Sequence, residues 1–234
     1  MNWDAARDFA TMTPDAAQDP WERTVNELLL MRKAIDLDRC EVLYDRPFSP
    51  QSLRTDWQVR GGTWHVEGEW LVGTNPDNAP GMVTSRAACF GNVLLDFEAR
   101  TIPPSTHDID WMWNGSWDEA TNTRATAYVC GLQGWWEGKV GFERSPEYKL
   151  NVATPLFDFE PGRIYRIRSG SVDGHAFVFV NGRLVLEVTD PDPIDTQRHG
   201  LIGFEAYASR IAVRRLIVRR IAWRPRELSY RPEF

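Results

Sequence analysis

Residues 177–186 have the sequence FVFVNGRLVL. The dipeptide Asn181-Gly182 lies between two runs of β-branched and aromatic residues, and both residues tolerate the positive φ angles of a two-residue type I′ turn. The stretch therefore predicts a β-hairpin with strands over residues 175–180 and 183–189.

The same alternation of apolar and polar residues continues on both sides of this hairpin. It predicts further strands over residues 40–44, 57–60, 63–67, 69–73, 82–85, 93–102, 108–113, 125–132, 139–143, 165–171, 200–206 and 212–221. Many short strands without a second helical block predict an all-β fold. We expect a jelly-roll β-sandwich of two antiparallel sheets over residues 41–222.

Residues 1–40 differ from the rest of the chain. Apolar residues recur at helical spacing over residues 20–37, and Asp19-Pro20 provides an N-cap and a first helical residue. We expect an amphipathic helix here that buries Leu28, Leu29 and Ile35 against the sandwich or a partner. Residues 1–40 would then be an N-terminal helical extension and residues 223–234 a C-terminal tail, and either one is a candidate homo-oligomer interface.

The chain of 234 residues has a net charge of −6 and contains 11 tryptophans. A negative charge argues against nucleic acid, which requires a basic surface. The sequence contains neither an apolar run of about 18 residues nor a signal-like N-terminus. The three cysteines lie far apart and predict no disulfide framework. We therefore expect a soluble cytoplasmic protein without nucleic-acid or membrane partners, or a secreted or periplasmic one if a leader was removed.

Four blocks resemble known families. Residues 57–71 (WQVRGGTWHVEGEWL) are similar to the first hairpin of many concanavalin A-like sugar-active domains. Residues 177–183 (FVFVNGR), 200–207 (GLIGFEAY) and 211–216 (IAVRRL) resemble the end of keto-disaccharide hydrolase-like domains and of small sandwich proteins from bacterial rhamnogalacturonan-utilisation operons. The resemblance covers about residues 41–222. It implies a concanavalin A-like lectin/glucanase sandwich in a carbohydrate context, but the blocks themselves are structural and locate no chemistry.

The segment HDIDWMWN at residues 107–114 is the main candidate for chemistry. Alternate residues of a strand share a face, so Ile109, Trp111 and Trp113 are expected between the sheets. The opposite face, lining the concave groove, would carry Asp108, Asp110, Met112 and Asn114. Two carboxyls on one strand suit glycoside hydrolysis, in which paired carboxyls act as acid and base or nucleophile. The alternative is that both are solvated or bind a structural cation.

Other residues complete the predicted site. We expect His107, Lys139 and Glu143 to assist Asp108 and Asp110 in catalysis. The loop after Gly131 carries two adjacent tryptophans, and at least one of them must face away from the core, where it would stack on a sugar or cap the end of the sandwich. The expected substrate-binding residues are Asn114, Trp117, Tyr128, Gln133, Trp135 and Trp136.

No metal or cofactor is indicated by the spacing of the histidines or cysteines. A structural calcium ion is an expectation of the fold, and its candidate ligands are Asp45, Asp96 and Glu98. The resulting hypothesis is a glycoside hydrolase or lyase that acts on an oligosaccharide or glycoside. The alternatives are a non-catalytic, lectin-like binding protein and a structural subunit of a sugar-degrading assembly.

Overall fold

The computed structural model describes residues 26–135, 138–146 and 149–227. The strands in this part of the chain are β1 Glu27–Leu29, β2 Lys33–Asp36, β3 Glu41–Asp45, β4 Trp57–Val59, β5 Thr63–Glu67, β6 Trp70–Asn75, β7 Gly81–Ser85, β8 Val93–Thr101, β9 Ile109–Asp118, β10 Thr123–Trp135, β11 Lys139–Ser145, β12 Leu150–Thr154, β13 Tyr165–Val172, β14 His175–Val180, β15 Arg183–Thr189, β16 Leu201–Ala206, β17 Ser209–Arg220 and β18 Trp223–Pro225. The helices are α1 Pro50–Asp56 and the 3-10 helix Leu37–Arg39. Within these residues, no helix is long and apolar enough to cross a membrane.

Two antiparallel sheets form the sandwich. The strand order of the first, seven-stranded sheet is β12-β11-β10-β9-β16-β7-β4. The second, eight-stranded sheet has the order β15-β14-β13-β8-β17-β6-β5, with β3 paired to β17. This arrangement confirms the predicted all-β sandwich. The predicted hairpin is also present, because Asn181 and Gly182 have φ angles of 48° and 78° between paired Val180 and Arg183.

The core lies between the two sheets and contains many large aromatic side chains. Ile109, Trp111 and Trp113 of β9 are fully buried there, as the alternation predicts. Trp113 Nε1 donates a hydrogen bond to Ser171 Oγ of the other sheet at 2.9 Å, which satisfies its polar group inside the core. The alternate side chains of Asp110 and Met112 therefore face away from the core.

The predicted N-terminal helix over residues 20–37 is wrong for residues 26–37, and residues 20–25 lie outside the described residues. β1 and β2 pair with each other, and β2 pairs with β18 from the predicted tail, forming a three-stranded sheet that we call the small sheet. Leu28 and Leu30 are buried, whereas Leu29 and Met31 are exposed, so the segment follows a two-residue period.

A tertiary contact explains this difference from the prediction. Phe177 and Phe179 point to the outer face of the eight-stranded sheet, and the small sheet covers them with Leu28, Leu30 and Ile35. An apolar patch of this size would otherwise be exposed to water, so its burial overrides the local helical spacing. The small sheet joins both ends of the chain within one molecule, and the oligomer interface stays a prediction.

The two-residue period of the small sheet predicts a sharp difference between neighbouring leucines. Leu30→Ala and Ile35→Ala should each lower the free energy of unfolding by about 2–5 kcal/mol, because each leaves a cavity beneath the small sheet. Leu29→Ala and Met31→Ala are the matched controls and should change it by less than about 1 kcal/mol. Denaturant titrations of the four variants measure this, and a loss at Leu29 as large as at Leu30 would contradict the strand assignment.

Candidate functional site

A cleft of about 310 Å³ opens on the outer face of the seven-stranded sheet, and we call it the acidic cleft. Four of its side chains are carboxyls and one is a guanidinium. It is lined by Pro80, Asp108, Asp110, Arg124, Val129, Gly134, Trp135, Glu143, Asn151, Glu205 and Tyr207. Strands β9, β10, β11, β12 and β16 therefore all contribute residues to one site.

Asp108 and Asp110 form a hydrogen-bonded carboxyl pair at the start of β9. Both are almost completely buried, with 7% and 5% of their surface exposed. Burial raises the pKa of Asp108 to about 6 and holds the pKa of Asp110 well above its usual range. The negative charges of Asp108 and Glu205 raise the pKa of Asp110 further. The hydrogen bond lowers the pKa of Asp108 and raises that of Asp110, so Asp110 is the proton donor of the pair and Asp108 the acceptor.

Arg124 connects the two other carboxylates of the cleft. Its Nη1 lies 2.6 Å from Glu205 Oε2, and its Nη2 lies 3.3 Å from Glu143 Oε1. Burial nevertheless raises the pKa of Glu143 to about 7, against the opposing effect of Arg124. Since one arginine faces four carboxyls, the acidic cleft retains a negative potential near neutral pH.

Glycines in β10 and β11 create the space that the cleft needs. A Cβ at Gly131 would collide with both Asp110 Oδ1 and the indole of Trp135, and one at Gly141 would collide with the same indole. The half-buried Trp135 ring therefore lies across the two strands and beside Asp110. A bulge between Gly131 and Trp135, with Gln133 at a φ of 62°, turns this tryptophan onto the outer face.

Two buried acceptor atoms in the cleft lack ordinary partners. The described residues offer no hydrogen-bond donor to Asp110 Oδ1 or to Asn151 Oδ1. Unsatisfied buried acceptors are rare in folded proteins because each costs about 1–3 kcal/mol. Hydroxyl groups of a bound molecule would supply the missing donors.

The structure brings four of the predicted site residues into the cleft: Asp108, Asp110, Glu143 and Trp135. His107, Lys139 and Gln133 are half-exposed and do not line it, and Trp136 lies outside the described residues. Their predicted roles rest on the sequence alone.

The structure contradicts two of the predicted substrate-binding residues. Tyr128 is fully buried between the sheets and donates a hydrogen bond to Asp190 Oδ2 at 3.0 Å. Asn114 has a positive φ of 45°, which interrupts the alternation of β9, and its side chain bonds to Gly91 O and Ser171 Oγ in the core. Neither side chain can contact a molecule in the acidic cleft.

Sequence reasoning missed Arg124 and Glu205. The block at residues 200–207 was interpreted as structural, yet Glu205 points outward between the buried residues Phe204 and Ala206. A single acidic residue in an otherwise apolar strand was the available signal. The sequence around Arg124 contained no such signal. Arg124 reaches Glu205 only because β10 pairs with β9 and because its side chain is long.

Two of the three carboxylates predicted to bind calcium are bound by arginines. Asp96 binds Arg166 and Arg168 at 3.1 and 3.0 Å, and Glu98 binds Arg214 at 2.7 Å. Asp45 is exposed on β3. In the described part of the chain, no group of three or more His, Cys, Asp or Glu residues is arranged to hold a metal ion.

No family model matches the sequence, and no curated protein matches it at a significant level. Solved structures do share its fold. A protein of unknown function with a galectin-like fold from Bacillus subtilis has a TM-score of 0.57 at 17% identity, over 77% of this chain and 96% of its own. The carbohydrate binding module CBM66 from Bacillus subtilis has a TM-score of 0.55 at 13% identity, over 70% of this chain and 95% of its own. The Crh5 transglycosylase has a TM-score of 0.52 at 11% identity, over 86% and 90%.

These similarities establish the fold and agree with the concanavalin A-like sandwich that the sequence implied. At identities this low they do not carry functional residues to this chain. The chemistry must therefore be argued from the acidic cleft itself. Its carboxyl pair offers a proton donor, Asp110, and a proton acceptor, Asp108, beside an aromatic ring.

Glu143 should make the stability of the fold depend on pH. Its pKa is about 7 in the folded protein against 4.5 ordinarily, so ionisation favours the unfolded chain. The protonated Glu143 side chain supports the fold fully below pH 4.5. This contribution to the free energy of unfolding is lost as the pH rises through about 7, and the loss amounts to up to about 3 kcal/mol.

The Glu143→Gln variant removes this titration. The difference in unfolding free energy between the natural protein and the variant should fall between pH 4.5 and 8, as measured by chemical denaturation. Glu41→Gln, which changes an exposed carboxylate paired with Arg220, should leave the pH dependence unaltered. Parallel curves for the natural protein and Glu143→Gln would show that Glu143 ionises normally.

Proposed function

We propose that the protein is a glycoside hydrolase whose acidic cleft holds the scissile bond of an oligosaccharide or glycoside. The observation that carries this proposal is the buried, hydrogen-bonded pair of Asp108 and Asp110 in an open cleft. Burying two adjacent carboxyls destabilises a fold, and such pairs with displaced pKa values are typical of catalytic sites.

The two carboxyls differ in protonation, which assigns their roles. Asp110 holds the proton and would donate it to the glycosidic oxygen as the bond to the sugar breaks. Asp108 ionises near pH 6 and accepts the hydrogen bond of Asp110, so it would hold that proton in position. Because these two carboxyls are in direct contact, the attacking water would give its proton to another carboxylate of the cleft, Glu143 or Glu205. Water supplies the hydroxyl of the new reducing end.

Trp135 and the unsatisfied acceptors would bind the sugar. The indole lies beside Asp110, and its flat face offers the apolar contact that a pyranose ring stacks on. Asp110 Oδ1 and Asn151 Oδ1 would accept hydrogen bonds from sugar hydroxyls. A binding surface of this kind places the glycosidic bond next to the carboxyl pair.

The charge of the cleft favours hydrolysis over elimination. A lyase must bind and neutralise the carboxylate of a uronic acid next to the scissile bond, which calls for a surplus of cationic groups. Here the single guanidinium of Arg124 is already bound by Glu143 and Glu205. A neutral sugar at the scissile position is therefore the expected substrate. A closer relation to the keto-disaccharide hydrolase-like domains stays a prediction.

A non-catalytic, lectin-like role is the second candidate. The observation that favours it is Trp135 itself, because an indole beside polar acceptors is sufficient to bind a sugar. A carbohydrate binding module and a transglycosylase both share this fold, so the fold is compatible with either role.

Replacing the proton donor separates the two candidates. Asp110→Asn should keep the fold and the affinity for sugar but lower turnover by about 10²–10⁴, the usual contribution of general acid catalysis. Asp118→Asn, a matched change on the exposed end of the same strand, should leave turnover unchanged. Release of reducing ends across a panel of neutral oligosaccharides is the measurement. Binding without any turnover in the natural protein would leave only the lectin-like role.

Removing the Trp135 indole should weaken sugar binding rather than lower turnover. Trp135→Ala should raise KM or Kd roughly tenfold or more, since the stacking area is lost while the carboxyl pair remains. Trp223→Ala, which removes an exposed tryptophan from the small sheet, is the control and should bind normally. Unchanged affinity in Trp135→Ala would place the sugar elsewhere on the molecule.

A further inference from the structure

A second cavity, of about 400 Å³, opens near the other end of β9, and we call it the arginine cavity. It is lined by Gln58, Arg60, Ser85, Arg86, Ala88, Phe90, Gly115, Ser116, Trp117, Glu119, Arg198, Gly200 and Leu201. Trp117 and Leu201 pack against the Met82, Met112 and Val129 cluster on the outer face of the sheet, and Trp135 packs against the same cluster. The two cavities therefore lie on one continuous face.

The arginines of this cavity are not equivalent. Arg60 is neutralised by Glu119, with both nitrogen–oxygen distances at 2.8 Å, and its guanidinium lies 4.9 Å from the ring centre of Trp117. Arg86 and Arg198 are exposed, and neither is part of an ion pair in the described part of the chain. Arg86 Nη1 donates only to Gln58 Oε1, at 3.4 Å.

Some arginines on the outer face of the eight-stranded sheet, by contrast, are compensated. There Arg168 and Arg214 each bind a carboxylate, at 3.0 Å from Asp96 and 2.7 Å from Glu98. Two uncompensated guanidinium groups beside a cavity, in a chain whose net charge is −6, form a local site for a negative charge. Guanidinium groups bind carboxylate and sulfate oxygens in a bidentate manner.

We propose that the arginine cavity is a subsite for an anionic substituent, a carboxylate or a sulfate ester, on the glycan whose neutral part occupies the acidic cleft. The proposal rests on the proposed function for its glycan, and it adds the substrate class. Asp110 and Ser116 are six residues apart on β9, which corresponds to roughly 20 Å. The substrate is then an oligosaccharide with a negative charge at one end only.

The charges of the two cavities would orient such a glycan. The carboxylates of the acidic cleft repel an anion, whereas Arg86 and Arg198 attract it. The reversed orientation would place like charges together and is disfavoured. The arginine cavity therefore determines which glycosidic bond lies over Asp110.

The subsite can be tested separately from catalysis with small probes. The probes are methyl glucuronide, glucose 6-sulfate and, as the neutral control, methyl glucoside. The indole N–H of Trp117, which donates to Asn122 Oδ1, gives an NMR signal in the cavity wall. Both anions should shift this signal, with weaker binding at higher salt, and methyl glucoside should not. A response to one anion alone identifies that anion as the natural group and also supports the proposal.

Variants identify the groups that hold the anion. Arg86→Gln and Arg198→Gln should each weaken anion binding about tenfold to a hundredfold, as expected for loss of a charged hydrogen bond. Arg183→Gln, an exposed arginine of the eight-stranded sheet, is the control and should bind normally. No shift at Trp117, an equal shift with methyl glucoside, or an equal loss in Arg183→Gln would overturn the subsite.

The outcome is independent of the carboxyl pair. Asp110→Asn should bind the anionic probes as the natural protein does. If the anions bind but no oligosaccharide is cleaved, the subsite holds and the hydrolase proposal fails. If neutral oligosaccharides are cleaved without any anion binding, the hydrolase proposal holds and the subsite fails.

Discussion

Ile109, Trp111 and Trp113 lie between the sheets, and β9 cannot turn these side chains inward without turning Asp110 outward. A slip of one residue would bury the carboxyl in an aromatic core and expose two indoles, so this register is strongly determined. The acidic cleft therefore depends on the same packing that stabilises the sandwich. This constraint applies only to the part of β9 before Asn114. A β-bulge at Asn114 shifts the alternation of inward and outward side chains in the rest of the strand.

The acidic cleft is maintained against an energetic cost. Asp110 and Glu143 are almost fully buried and have raised pKa values, so their ionised forms destabilise the fold. Arg124 offsets part of this cost by binding Glu143 and Glu205, yet the described residues offer no hydrogen-bond donor to Asp110 Oδ1. A side chain at Gly131 or Gly134 would collide with the carboxyl pair. The glycines therefore make room for the carboxyls of Asp108 and Asp110 and for the Trp135 ring.

Much of the fold could be predicted because its signals are local. The Asn181-Gly182 turn and the alternation along β9 require only neighbouring residues, and both predictions are confirmed. The N-terminal strands could not be predicted, because they form where Phe177 and Phe179 need cover from a distant part of the chain. The same holds for the candidate site. Asp108 and Asp110 are close in sequence and could be predicted, whereas Arg124 and Glu205 reach the cleft only through pairing between strands.

The two outer faces of the sandwich differ in how their carboxyl groups are paired. On the eight-stranded sheet, Asp96 and Glu98 are bound by arginines, and the small sheet buries Phe177 and Phe179. On the seven-stranded sheet, a carboxyl pair shares one proton at one end, and at the other end Arg86 and Arg198 have no carboxylate partner among the described residues. Groups of opposite charge on one face leave interactions that a ligand can complete. This charge distribution supports the proposal that a ligand binds to the seven-stranded sheet.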